Sequence, residues 1–352
     1  MERCVRCILP DTYPEIGFDE KGICSFCTDF EMPPLGKDKE EELKRLVEEA
    51  RLRQGRYQVI VPISGGKDSA YALYVARCLY GLRVLAINFD NGFRSAAAEA
   101  NLKTLTTQLD IDYVSIKPSW HLMRSLYSAF VKSVGEFCTV CNAMGYLTIM
   151  TCVVEEAIRI RSKLLVVGGW SEKLEAMPGM YSFDFKYFHD IIAQAGMSEK
   201  LRRSPMINEQ CLDILINAPD PRMTTKDADL PFNYVMLPEY IPWDLNQISK
   251  TLKKELGWSA PPGAENETHF DCVMYPVAKY FERRKYGFSQ NTVTYSALVR
   301  AAQMTREQAL MRVEDEGEEP PEEFAQFLDT LGLAESEVNW NGRWHPQRHL
   351  GK

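Results

Sequence analysis

The sequence predicts an α/β fold: a doubly wound parallel sheet, preceded by a small cysteine module and followed by a mainly helical C-terminal region. Three observations predict it. Val59-Ile60-Val61-Pro62-Ile63 is a short β-branched run that breaks into Ser64-Gly65-Gly66-Lys67-Asp68-Ser69 and then a helical pattern. Residues 82–89 are a second buried run, so strand, helix and strand follow within about 35 residues, the spacing of a parallel βαβ unit. Ahead of both, Cys4-x-x-Cys7 and Cys24-x-x-Cys27 stand sixteen residues apart in a stretch too small for a core of its own. The expected division is 1–35 for the cysteine module, 36–218 for the α/β domain and 219–352 for a C-terminal substrate or partner region.

Each Cys-x-x-Cys pair can clamp one edge of a tetrahedral ion, and two pairs close a four-sulfur shell. The spacing of Cys4, Cys7, Cys24 and Cys27 fits a zinc ribbon, and Pro10, Pro14, Gly17 and Gly22 suit a loop-rich knuckle. Structural zinc is expected, with an iron site or a redox pair as the alternatives. A closed shell has no open position, so no chemistry is assigned to it. Residues 37–54 read as a charged amphipathic helix with Leu43, Leu46 and Val47 as its apolar stripe.

The loop at residues 64–69 reads as an anion site. Two glycines let backbone N–H groups approach a ligand, and a new helix N-terminus favours negative charge. Lys67 adds a point charge; Ser64 and Ser69 add hydroxyl donors. A Walker A loop would need a different spacing. The helix expected over 68–80 turns Ala70, Leu73, Tyr74 and Ala76 inward. Ligands of parallel sheets bind beyond the carboxyl ends of the strands. Asn88 to Gly92, with Asp90 between them, should therefore lie near the ligand, the alternative being an ordinary turn.

A helix is expected over 95–109, a strand over 113–117 stopped by Pro118, and a helix over 120–134 with His121 as a surface or capping residue. Phe137-Cys138-Thr139-Val140-Cys141-Asn142 carries a third Cys-x-x-Cys ahead of a long apolar helix, 142–161, and a strand over 163–168. One pair cannot close a metal site. It needs further ligands from Cys152, Cys211, Cys272 or a His; a redox dithiol or unliganded buried thiols are the other readings. Cys78 and Cys152 read as core thiols. Gly168-Gly169-Trp170-Ser171-Glu172 is either a further edge of the site or a bend, and residues 178–188 read as a lid or substrate loop.

Residues 190–218 should be helical. Residues 219–268 are rich in Pro and aromatics, with a short strand near 233–237 and a helix over 250–256 stopped by Gly257. Two helices are expected within 269–310, and Thr305 with Gln308 forms a capping box. Residues 313–323 read as an exposed acidic linker, 324–333 as a small helix, and Trp340-Asn341-Gly342-Arg343-Trp344-His345 as an aromatic tail.

The chain has 352 residues, 45% hydrophobic and 26% charged, as expected of a globular protein of two or three units. Its net charge of -8 argues against a large nucleic-acid footprint. Lys200-Leu201-Arg202-Arg203 and Arg283-Arg284-Lys285 are its small basic clusters; they suit a sugar nucleotide's phosphates or a solvated helix face. No apolar run reaches the roughly 18 residues of a membrane span. Met1-Glu2-Arg3-Cys4 does not read as a signal or transit peptide. Ten cysteines, several in Cys-x-x-Cys pairs, suggest metal binding in a reducing cytoplasm.

Ser-Gly-Gly-Lys-Asp-Ser resembles the signature of the PP-loop ATP pyrophosphatases. The resemblance implies an adenine nucleotide α-hydrolase-like fold, ATP held by Ser64, Gly65, Gly66, Lys67, Asp68 and Ser69, and contacts from Asn88, Asp90, Gly92 and Gly168. Lys67, Asp68 and Ser69 would be catalytic, with Mg²⁺ on the phosphates and Asp68 or Asp90 beside it. Further stretches narrow the likeness: Arg3-Cys4-Val5-Arg6-Cys7-Ile8-Leu9-Pro10-Asp11-Thr12, Phe18-Asp19-Glu20-Lys21-Gly22-Ile23-Cys24, Asp90-Asn91-Gly92-Phe93, Tyr295-Ser296-Ala297-Leu298-Val299-Arg300 and Thr305-Arg306-Glu307-Gln308-Ala309-Leu310. Over roughly residues 1–310 the chain looks like the N-acetyl sugar amidotransferases of surface-polysaccharide biosynthesis, the WbpG and PseA type.

That resemblance implies adenylation of a sugar acetamido oxygen, release of pyrophosphate, and displacement of AMP by ammonia from a separate glutaminase subunit. The acceptor would be an N-acetylated nucleotide sugar. Sulfur-transferring PP-loop enzymes, which the chain also resembles, hold a [4Fe-4S] cluster on a similarly placed Cys-x-x-Cys and one distant cysteine. Cys138 and Cys141 with Cys272, or alternatively Cys211, would then serve a tRNA or small-molecule thiolase. The acidic balance argues against tRNA. A homodimer stays open.

Overall fold

The computed structural model describes residues 2–30, 37–160, 164–169, 185–217, 233–261, 264 and 269–341. Its centre is one sheet of β1 (Val59–Pro62), β2 (Val84–Phe89), β3 (Asp112–Ile116), β4 (Leu164–Val167) and β5 (Asn233–Met236), ordered β3-β2-β1-β4-β5 with every pairing parallel. β1 and β2 are buried on both faces and read as continuous apolar runs, while β3 is a largely exposed edge. β5 comes from beyond residue 218, so the sheet is completed by the C-terminal part of the chain. The sheet winds outward from β1 to β3 and then returns to β1's other side at β4. That is a topological switch point, where the carboxyl ends of the strands open a crevice.

In the N-terminal knuckle, α1 (Ser25–Thr28) follows Cys24, and α2 (Lys37–Arg51) buries Leu43, Leu46 and Val47 against the main core. The expected helix after the loop divides into α3 (Lys67–Tyr74) and a π-helical turn, Val75–Leu79. That turn carries Cys78 outward, so it is an exposed thiol and not a core one. Cys152 is half-buried against the sheet's second face. α4 (Ala96–Leu109) is capped by Ser95, whose hydroxyl accepts from Ala98 N, and α5 (Trp120–Val134) ends on left-handed Gly135.

α6 (Cys138–Ile160) starts earlier than the apolar pattern indicates. The Glu136 carboxylate accepts from Thr139 N at 3.1 Å and caps the first turn, so both cysteines of the third pair are helical. The expected helical stretch after residue 190 is α7 (Phe185–Gln194), α8 (Ser198–Arg202) and α9 (Glu209–Asn217). Phe185 and Phe188 are buried, and Phe188 stacks on Phe130; this end of the stretch read as a lid is core helix. The rest of that lid, Trp170 to Glu172 and residues 342–345 of the tail lie outside the described residues.

The remaining helices are α10 (Leu245–Leu256), α11 (Tyr275–Tyr286), α12 (Gln290–Arg300), α13 (Arg306–Glu314) and α14 (Glu323–Leu331). Gly257 ends α10 in the left-handed region, and Thr305 with Gln308 closes the capping box of α13. The stretch read as an exposed acidic linker buries one of its acids. The Glu316 side chain is 3% exposed, 2.9 Å from Arg283 and hydrogen-bonded by Asn291 Nδ2 at 2.7 Å. Both basic clusters are engaged locally: Arg283 there, Arg284 against Glu335 and the Trp340 ring, Arg202 with Asp213, Arg203 with Glu199 and Lys200 on Ser125. None of the described helices is long and apolar enough to cross a membrane.

Candidate functional site

Residues 64–66 leave β1 at the crevice and turn into α3. The loop's hydroxyls hold its shape. Ser69 Oγ accepts from Ser64 N (3.1 Å), Ser64 Oγ accepts from Gly66 N (3.2 Å), and the two hydroxyls are 3.2 Å apart. Gly65 has φ +87°, and a Cβ there would lie 2.5 Å from the Ala98 carbonyl oxygen. Only glycine allows α4 to pack this closely against the loop. Gly168, at the end of β4, leaves no room for a side chain against the Asp68 carbonyl. Its place is under the loop, a packing contact. Lys67 is 3% exposed, and burial pushes its ammonium pKa down.

Three side chains that the sequence reading passed over brace this loop. Gly65 O accepts from Trp258 Nε1 and from Asn101 Nδ2, each at 3.0 Å. Asp68 Oδ1 accepts from Trp243 Nε1 at 3.2 Å. Asp90, the other acid expected near the phosphates, is committed elsewhere. Its Oδ1 accepts from Gly92 N at 2.8 Å, and its Oδ2 faces Lys117 at 3.2 Å and Arg94 at 3.7 Å.

A cavity of about 290 Å³ opens beside the loop. Ser64 forms one wall, Asn88, Phe89, Asn91 and Arg94 another, and Cys138, Cys141 and Asn142 of α6 a third. His269, Asp271, Cys272 and Tyr275 close it. The structure thus brings Ser64, Asn88, Cys138, Cys141 and Cys272 together. Cys211 is buried in α9 among Leu212 and Leu215 and does not line the cavity. Asn88 is fixed by donating to Ile63 O (2.7 Å) and accepting from Ser115 Oγ (3.1 Å) and from Arg94.

Asn91 Nδ2 reaches Cys141 Sγ at 3.7 Å and Cys272 Sγ at 3.9 Å, and Tyr127 Oη lies 3.2 Å from Cys141 Sγ. Burial pushes all three thiols up, Cys141 to about 11.

Asp271 is the residue sequence reasoning missed, although it adjoins a candidate ligand cysteine. Its carboxyl is hydrogen-bonded to Ser64, and burial pushes its pKa up. The main chain around it is sewn to the segment after β2. Ser95 N donates to Asp271 O and Val273 N to Phe93 O, each at 2.9 Å, and Cys272 bridges Arg94.

The N-terminal knuckle is a separate centre. Cys4, Cys7, Cys24 and Cys27 are all buried, with every sulfur within 4.8 Å of the others. Cys4 Sγ lies 3.8 Å from Cys27 Sγ, and Cys7 Sγ lies 3.8 Å from Cys24 Sγ. A tetrahedron with Zn–S bonds of about 2.3 Å has edges of about 3.8 Å, so the cage is the right size for zinc. Backbone N–H groups of Arg6, Cys7 and Cys24 point at Cys4 Sγ (3.4, 3.4 and 3.2 Å), as thiolate acceptors require. Tyr13, Phe288 and Val293 pack round the cage, and Arg306 of α13 donates to the carbonyls of Cys4 and Cys7.

Comparison with known proteins adds a family at the C-terminus. Residues 266–349 match the family described as LPS biosynthesis protein WbpG-like, C-terminal domain. An uncharacterised protein of Methanocaldococcus jannaschii is 24% identical over 144 residues, 40% of this chain and 51% of that protein. The chain thus spans about half the length of that curated relative. Among solved structures, NMN synthetase from Francisella tularensis is 13% identical, over 87% of this chain and 98% of that one (TM-score 0.38). NH3-dependent NAD synthetase from Campylobacter jejuni is 16% identical, over 67% and 97% (TM-score 0.31). U34-tRNA thiolase NcsA from Methanococcus maripaludis, solved with its [4Fe-4S] cluster, is 14% identical, over 89% and 89% (TM-score 0.35). The residues that match this WbpG-like family supply Asp271 and Cys272 to the cavity beside a Ser-Gly-Gly-Lys-Asp-Ser loop on a parallel sheet.

Proposed function

We propose that this protein uses ATP to activate the amide oxygen of an N-acetylated sugar and then replaces that oxygen with ammonia. One observation carries the reading: the phosphate loop and the WbpG-like segment line the same cavity. ATP at the loop and an acceptor held by residues 269–275 would meet at Ser64 and Asp271. The acetamido oxygen attacks the α-phosphorus, the bond to pyrophosphate breaks, and the amide nitrogen loses its proton. Ammonia then adds to the imidate carbon and AMP leaves, giving an acetamidino group. The loop N–H groups, Ser64, Ser69 and the Lys67 ammonium would stabilise the charge on the departing pyrophosphate. Bound Mg²⁺ would neutralise phosphate oxygens, and Asp68 is the better-placed acid for it because both oxygens of Asp90 are engaged. Ammonia would come from a partner subunit.

The three-thiol wall favours a second reading. Cys138, Cys141 and Cys272 would hold an iron–sulfur cluster, and sulfide would displace AMP from the same kind of adenylate. Purified protein, ATP and a panel of N-acetylated nucleotide sugars separate the cases. AMP and pyrophosphate, dependent on sugar and ammonia, are expected; ADP as product would sink both readings. Iron in an anaerobic preparation, with a broad visible band lost in Cys138→Ala, would favour sulfur transfer. A colourless, iron-free preparation would count against it.

A further inference from the structure

We propose that Asp271 selects the acceptor by receiving its amide N–H, which fixes the carbonyl oxygen on the opposite edge of the amide, facing away from the carboxylate. The inference rests on the N-acetyl sugar reading above and names the residue that would enforce it. Among the described residues lining the cavity, Asp271 is the one carboxylate. Its side chain is 18% exposed, and Oδ2 lies 3.5 Å from where a Cβ on Gly66 would stand. Oδ2 thus abuts the loop, the carboxyl is hydrogen-bonded to Ser64, and Oδ1 stands 3.8 Å from His269 Nδ1. A carboxylate has about four acceptor sites; Ser64 and the residue's own backbone N–H take two, so capacity remains.

The neighbouring acceptors are largely committed. Asn88 Oδ1 takes Arg94 and Ser115, and Asn91 Oδ1 takes Phe93 N at 2.8 Å. Ser64 makes the orientation consequential. A donor seated on the free lobe of Asp271 lies within one side chain of the loop that would hold the phosphates. A secondary amide is trans about its C–N bond, with N–H and C=O on opposite edges. Anchoring the N–H on Asp271 therefore fixes where the oxygen points. The main-chain ties of Ser95 to Asp271 O and of Val273 to Phe93 hold this carboxylate in place, so the orientation would be built in before the acceptor arrives.

The test is binding, so that chemistry cannot confuse it. Dissociation constants of the full chain are measured with α,β-methylene ATP present, for an N-acetylated UDP-hexosamine panel and for the matching O-acetyl sugars. The ester keeps the shape and the carbonyl and lacks the N–H. Wild type should bind the amide about 10- to 100-fold more tightly than the ester. Asp271→Asn should bring the two within about threefold, because an amide group that keeps the Ser64 bond turns its NH₂ toward the ligand. Its ATP-analogue affinity and melting temperature, measured alongside, should stay at wild-type values. Equal affinity of wild type for amide and ester overturns the inference and leaves the sugar reading standing. A preference that persists in Asp271→Asn also overturns it. Failure of wild type to bind any sugar overturns the underlying reading as well.

Discussion

Arg306 Nε donates to the carbonyl oxygen of Cys7 at 2.9 Å and to that of Cys4 at 3.3 Å, across about three hundred residues of chain. The WbpG-like segment thereby grips the peptide that holds two of the four knuckle sulfurs. Removing a charged donor from such a contact costs about 1.5–3 kcal/mol. We expect Arg306→Ala to lower the melting temperature by several degrees and to speed loss of metal to a chelator. An unchanged chelation rate would show that Arg306 does not bear on the cage.

Metal content should divide cleanly between the two cysteine sets. Wild type is expected to carry one zinc per chain, lost in Cys7→Ser and retained in Cys138→Ser. Elemental analysis of the three proteins checks this. Zinc loss from the Cys138 variant would place it in the wrong pocket.

Lys67 sits where burial disfavours its charge. Its folded pKa is depressed, so the folded state binds the proton less readily than the unfolded chain does. The resulting penalty is present at neutral pH and fades only as pH rises toward 10.5, the ordinary lysine value. Lys67→Met should therefore melt at or above the wild-type temperature. Turnover to AMP should fall about 10²- to 10³-fold, the scale of removing one preorganised donor. A variant that is less stable yet fully active would contradict both halves.

Glu282 gives the opposite kind of pH test. It is 2% exposed, and burial, with Glu316 and Glu136 nearby, raises its carboxyl pKa. The folded state then holds a proton that the unfolded state has released. Its contribution is fully present below pH 4.5, the ordinary value, and is lost as pH rises through the folded pKa. Glu282→Gln keeps an acceptor for Gln290 N, which Glu282 binds at 2.6 Å. It should raise stability at pH 7 and leave it unchanged near pH 4; denaturant titrations at both pH values decide.

Trp243 should matter to ATP more than to the fold. Trp243→Phe removes the indole N–H from Asp68 Oδ1 and keeps most of the ring. The KM for ATP should rise several-fold, with melting lowered by no more than a few degrees. An unaltered KM would remove Trp243 from the loop's support.

What the sequence made legible was local. The Ser64 loop, the four knuckle cysteines and the α13 capping box are each written within a few residues, because backbone geometry and metal clamping act over short spans. Asp271, Trp243 and Trp258 were not legible. They reach the loop from 175 to 207 positions away, and nothing in their own neighbourhoods marks a residue that braces someone else's turn. Cys78 misled because helical phase was carried through a π turn, which rotates the face outward. Cys138 was placed before its helix because apolar periodicity cannot register a cap made by Glu136.

The knuckle's docking has a consequence for how the chain is made. Cys27 leaves the ribosome 279 residues (306 − 27) ahead of Arg306. At about 5–20 residues per second, that is an interval of roughly 14 to 56 s. For most of it, four thiols exist on a nascent chain while Phe288, Val293 and Arg306 have not yet been synthesised. The cage must therefore fill early, as a free peptide competing for ions, or wait open for its walls. Thiol labelling of chains stalled before and after residue 306 would time the choice. In either order, the cysteine knuckle is translated long before the helices it packs against and is among the last parts to find its place.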